Sequence, residues 1–157
     1  MSVPGSPFSI AAPAHAVTSM HGALIVANET SITAFAVNKE TGMIQPTDSI
    51  KTGAESLEAD SAANSIFATT QKGTLALRVS GGKLQTLPST LAVSARQSVA
   101  PKSPPAALDA SSRFMYVIDA SNAQITAFRV DEGKPVPLTP QSYPTSRTAN
   151  SLTLVKP

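Results

Sequence analysis

Apolar residues in this chain come in short bursts, and one burst is spelled almost identically twice. The phrase is SITAFAV at Ser31–Val37 and QITAFRV at Gln124–Val130, with a degraded third copy, GTLALRV, at Gly73–Val79. Side chains alternate faces along a strand, so Ile125, Ala127 and Arg129 point one way while Thr126, Phe128 and Val130 point the other. The bulky pair Phe128 and Val130 has counterparts in Phe35 and Val37 and in Leu77 and Val79. One face therefore keeps its bulk in every copy, as packing against a neighbouring sheet requires.

Each copy sits inside a longer unit. Upstream lie ALIVAN (Ala23–Asn28), SIFATT (Ser65–Thr70) and FMYVID (Phe114–Asp119), and before those HAVT (His15–Thr18), SLEAD (Ser56–Asp60) and AALD (Ala106–Asp109). Downstream of each copy comes a Gly (Gly42, Gly82 or Gly133) and one more short run. Four short strands with turn signals between them, recurring at about 40–50 residues, is the pattern of a propeller blade. The expectation is an all-β chain of four-stranded antiparallel meanders: one partial β-propeller over 1–157, with blades near 14–50, 54–93 and 104–143. Val3–Phe8 (segment 3–8) reads as the last strand of a preceding unit and Asn150–Lys156 (150–156) as the first strand of a following one. An open β-sandwich could use the same hairpins, but it gives no reason for the phrase to recur.

LIVAN at Leu24–Asn28, LDASSRFMYVID at Leu108–Asp119, the ITAF strands and PGSPF at Pro4–Phe8 together resemble the lactonase-type seven-bladed β-propellers, the 6-phosphogluconolactonase-like group with YVTN repeats. The resemblance implies a propeller and, at the level of activity, hydrolysis of a sugar lactone. Members of that group carry about seven blades, whereas three are read here. Propellers close with four to eight blades, because each blade buries its faces only against neighbours. Three blades would leave apolar end faces and unpaired edges. The chain is thus expected to be part of a longer protein, a subunit that closes a ring by self-association, or an aggregation-prone remnant.

Composition narrows the partners. The 157 residues suit one domain with a modest core, and only 4% are aromatic, so that core is mostly Ala, Val, Ile and Leu. Twelve Lys and Arg against ten Asp and Glu, scattered singly, make no phosphate-binding footprint, so nucleic acid is not an expected partner. No stretch approaches the roughly 18 apolar residues of a membrane span. There is no Cys, no His/Asp/Glu set with metal-ligand spacing and no nucleophile elbow, so neither metal nor cofactor is expected. The start lacks a basic region followed by an apolar core, so no signal peptide is read. The corresponding expectation is a soluble protein, cytoplasmic, or exported if a targeting segment lies upstream.

In a meander the links between blades and the second-to-third turns share one face of the ring. Residues that break the repeat there are candidates for chemistry. His15 opens the first strand of its unit, aligned with Leu57 and Ala106, and Glu58 stands against Ala16 and Ala107. Glu55, Arg96, Lys102 and Arg147 lie in the links. Lactone hydrolysis needs a base to activate water and a cation or N–H donor for the developing oxyanion. His15 or Glu58 would be the base and Arg96 or Arg147 the cation, on a small-molecule lactone or sugar. Asp60 and Asp109, aligned with Thr18, read instead as turn-setting residues, and His21 beside Gly22 as part of a turn. The long link Pro88–Pro105 reads as a surface insertion, or as a loop that covers a site or binds a partner. The alternative function is a non-catalytic module that presents its loop-rich face to a ligand or protein.

Overall fold

The computed structural model describes residues 10, 12–70, 72–88, 106–109, 111–119, 123–145 and 152. Among them there is no helix, and the ordered elements are strands. The first four are β1 (Ala16–Met20), β2 (Ala23–Ala27), β3 (Ile32–Val37) and β4 (Ile44–Ile50). Next come β5 (Ser56–Asp60), β6 (Ser65–Thr70), β7 (Gly73–Ser80) and β8 (Lys83–Thr86). The last are β9 (Ala106–Leu108), β10 (Phe114–Asp119), β11 (Gln124–Asp131) and β12 (Lys134–Pro144). Each consecutive four form an antiparallel meander, giving three four-stranded sheets. This is the arrangement of a partial propeller. No helix of the described residues is long and apolar enough to cross a membrane. The expected end strands at 3–8 and 150–156 lie outside the described residues.

The tight turns follow from local chemistry. His21–Gly22, Gly81–Gly82 and Glu132–Gly133 have positive φ at both positions (48° and 79°, 56° and 74°, 49° and 74°). That is the backbone of a type I′ hairpin, whose twist matches the flanking strands. His21 thus belongs to a turn, and its Nε2 lies 3.1 Å from the Ser61 carbonyl oxygen on the second sheet.

The sheets stack through opposite faces. Ile25, Ile32 and Ala34 of the first meet Leu57, Ile66, Ala68 and Leu77 of the second in one buried cluster. The second sheet's other face supplies Phe67 and Ala76, which pack with Met115, Val117 and Phe128 of the third. Leu77 and Phe128, counterparts in the repeated phrase, each face the preceding sheet. Phe35 holds the same register on the first sheet. Along the inner side, β5 lies beside both β1 and β9, and on the outer side β4 touches β8.

Strand pairing corrects three of the expected equivalences. Met20 pairs with Ala23, Asp60 with Ser65, and Asp109 N–H donates to the Phe114 carbonyl at the matching place. Met20, not Thr18, therefore stands where the other sheets carry Asp60 and Asp109. The β1–β2 turn has two residues where the β5–β6 turn has four, and this difference moves the register by two. The same shift makes His15 the counterpart of Glu55. Their N–H groups donate to equivalent carbonyls, His15 to Ala27 and Glu55 to Thr69, each at 2.8 Å. Val17, rather than His15, matches Leu57 and Ala106, and Thr18 rather than Ala16 matches Glu58 and Ala107.

Candidate functional site

Between the first two sheets, on the face carrying the links, is a cavity of about 430 Å³ lined by His15, Glu29, Thr30, Lys51–Glu55, Thr70 and Lys72. Three backbone features build it. Asn28 ends β2 and is buried, and its Oδ1 accepts hydrogen bonds from the N–H groups of Thr30 and Ser31, both at 2.8 Å. That side-chain turn holds Glu29 outward. On the second sheet Thr70 does the equivalent work: its hydroxyl donates to the Gly73 carbonyl at 2.7 Å and accepts from Lys72 N–H at 3.1 Å. Finally, the link 51–55 lies directly on the Asn28–Glu29 backbone. Ala54 N–H donates to the Asn28 carbonyl at 3.0 Å, and a Cβ on Gly53 would overlap the Glu29 carbonyl.

The cavity mixes charges. His15 Nε2 lies 3.8 Å from Glu29 Oε1, with the imidazole side chain 36% and the carboxylate side chain 80% exposed. Glu55, Lys51 and Lys72 complete the ionisable lining. A neutral imidazole can take a proton from water, and an ammonium can stabilise an oxyanion or hold a phosphate. Among the described residues no group of three or more His, Cys, Asp or Glu is placed to hold a metal ion.

The expected site residues are not gathered in one place. His15 and Glu55 line the cavity. Glu58 does not: it pairs with Phe67, on the face of β5 turned toward the third sheet. There it is half-buried, and loss of water contact raises its pKa above the usual glutamate value. Two fully buried hydroxyls sit on that same face at the link end, Ser56 Oγ and Thr69 Oγ1, neither of which has a hydrogen-bond partner among the described residues. They are cross-strand neighbours. Arg96, Arg147 and Lys102, with most of the link Pro88–Pro105, lie outside the described residues.

Sequence reading passed over Glu29, Lys51 and Lys72. Glu29 and Lys72 occupy second-to-third turns, the loops that share a face with the links, so their position in the repeat was the available signal. Nothing in the sequence said which of those turns faces which link.

Asp60 and Asp109 are turn residues. Asp60 Oδ1 accepts from Ala62 and Ala63 N–H at 3.0 and 3.2 Å. Asp109 accepts from the N–H groups of Arg113 and Phe114, both at 2.7 Å, and from the Ser111 hydroxyl and N–H. Burial works to raise the Asp109 pKa, but the Ser111 hydroxyl and the backbone donors outweigh it, and the net shift is downward.

No protein-family model matches the chain, and no curated protein does. Solved structures do. A candidate 6-phosphogluconolactonase from Bacteroides fragilis superposes with a TM-score of 0.63 at 13% identity, over 84% of this chain and 44% of that one. A Lactobacillus plantarum protein gives 0.64 at 16%, over 83% and 40%. The periplasmic gluconolactonase of Pseudomonas aeruginosa gives 0.59 at 17%, over 80% and 38%. The chain described here therefore spans less than half the length of the structures it matches.

Proposed function

We propose that this chain, which has the fold of part of a lactonase-type propeller, contributes to hydrolysis of a sugar lactone within a complete ring. The observation that carries the reading is the cavity between the first two sheets, where an imidazole, two carboxylates and two ammonium groups surround one opening on the link face. In this reading neutral His15 takes a proton from water as its oxygen attacks the lactone carbonyl. The resulting oxyanion is stabilised by Lys51 or Lys72. Its collapse breaks the ring C–O bond, and the alkoxide leaves with the proton that His15 returns. Lys51 and Lys72 would also suit a phosphorylated sugar. Glu58 is the competing base, poised by its raised pKa but facing the third sheet. Arg96 and Arg147 are retained as cations from the links.

The test is lactone hydrolysis by the assembled protein, followed by pH-stat, for His15→Gln and Glu58→Gln separately. A fall of about 10²–10⁴-fold in kcat for His15→Gln alone supports the cavity. The same fall for Glu58→Gln alone moves the site to the junction of the second and third sheets. A binding module is the second reading, favoured by the high exposure of Glu29 beside His15. It predicts sugar-acid binding by calorimetry without turnover.

A further inference from the structure

One cross-strand row breaks the repeat. At the link end of the second sheet Ser56 pairs with Thr69, and Thr69 with Thr74. The same row of the first sheet is Ala16, Ala27, Ile32 and Ile50. In the third sheet it holds Ile118, Ile125 and Tyr143. Sheets one and three are thus apolar at a place where the middle sheet carries three hydroxyls. The exchange is not at the surface, since Ser56 is 1% and Thr69 0% exposed. Neither Ser56 Oγ nor Thr69 Oγ1 has a hydrogen-bond partner among the described residues. Neighbouring hydroxyls elsewhere in the molecule do bond directly: Thr33 and Ser49, cross-strand neighbours on the first sheet, lie 3.1 Å apart. The third member of the row, Thr74, lines a surface recess of about 380 Å³ with Thr70, Lys72, Thr86 and Leu87. The row therefore runs inward from that recess into the packed junction.

We infer that the link end of the second junction is a binding site for one buried water molecule, held by Ser56 Oγ and Thr69 Oγ1. A hydroxyl buried without a partner costs free energy, so buried polar groups are paired, with water where the protein supplies nothing. The sheet opposite supplies nothing: it presents Ala106, Met115, Val117 and Phe128, which have no hydroxyl or amide side chain to offer. Two such oxygens on adjacent strands of one face share a single molecule, which donates to one and accepts from the other. Two neutral hydroxyls sealed from solvent suit a small neutral occupant. The bridge also has a place beside the cavity of the first junction. Glu55 precedes Ser56 and Thr70 follows Thr69, and both line that cavity. The water thus ties together, from behind, the two segments that present Glu55 and Thr70. The inference does not depend on the chemistry proposed above.

The sign of a stability change tests this. Ser56→Ala and Thr69→Val each remove one hydroxyl with little change of shape. With a bridging water, either substitution strands the remaining hydroxyl and lowers Tm, by about 2–8 °C. The double variant should lose less than the sum of the two, because no polar group is left to satisfy. If the hydroxyls are buried with no partner at all, each substitution removes a penalty, and Tm rises in both single variants and further in the double. That result overturns the inference, and so does an unchanged Tm in the single variants. Crystals of the unaltered full chain give the second measurement. One solvent peak within about 2.5–3.0 Å of both oxygens is expected. Hydroxyls bonded directly to each other, or density for a larger molecule between them, overturn it.

Discussion

The two junctions between sheets are built from different materials. The first is aliphatic and spread out: Ile25, Ile32, Leu57, Ile66 and Leu77 share it with several alanines. It is also tied at its outer rim, where Thr47 Oγ1 donates to the Gly82 carbonyl at 2.8 Å and Leu84 N–H donates to Asp48 Oδ2 at 2.9 Å. The second junction concentrates its bulk in Phe67, Phe128 and Met115, all fully buried, and carries beside them the hydroxyls of Ser56 and Thr69, unpartnered among the described residues. A large ring fills space that small neighbours cannot refill, whereas a spread of short side chains can shift slightly when one is cut. The second junction is therefore the more brittle, and the first tolerates the cavity at its mouth.

Truncating Phe128 to Ala should break the second junction, at about 3–5 kcal/mol, against about 1 kcal/mol for Ile66→Val in the first. Urea melts of the two variants check this, and equal losses would remove the distinction. Next in size is Gly133→Ala, at about 1–3 kcal/mol. Gly133 has φ +74°, and a Cβ there would overlap the Ser65 hydroxyl across the junction. Gly81→Ala, with φ +56° but nothing near its Cβ, should cost only the left-handed penalty of about 1 kcal/mol.

The rim tie gives a pH signature. Bonds from Leu84 and Ser49 N–H, with the Lys83 charge nearby, hold the Asp48 pKa below the usual aspartate value. Its stabilisation is thus complete above the unfolded pKa, near 3.9, and is lost as pH falls through the lower folded value. Asp48→Asn should flatten the acid side of the stability profile and lower Tm slightly at pH 7, because it weakens one part-buried contact at the rim. Smallest is Glu58→Gln. Burial raises the Glu58 pKa, so the folded state binds its proton more tightly, and charged Glu58 costs stability once pH rises above the unfolded value. A slightly higher Tm at pH 7 with no change at pH 3 is expected. A lower Tm at pH 7 would mean that the carboxylate has a stabilising partner.

Much of the fold was legible in the sequence because strands and turns are local. The two-residue period of ITAFRV placed Phe128 and Leu77 on one face, and the structure seats both against the preceding sheet. Gly82 and Gly133 mark type I′ turns, since a residue at positive φ is needed there. Asp60 and Asp109 read as turn residues, and they are.

Which residues meet was not legible. The order of apolar runs sets His15 against Leu57, whereas the hydrogen bonds of His15 and Glu55 to equivalent carbonyls fix the true match. The cause is the short His21–Gly22 turn, whose effect on register depends on pairing across the hairpin. The meeting of Glu29 and His15 with Lys51 and Lys72, and the separation of Glu58 from them, were likewise decided by tertiary structure. A strand's sequence says which side chains share a face. Which link crosses which turn is set by how two sheets stack, and that depends on Gly53 lying against the Glu29 backbone and on Leu57 and Ile25 filling the same core.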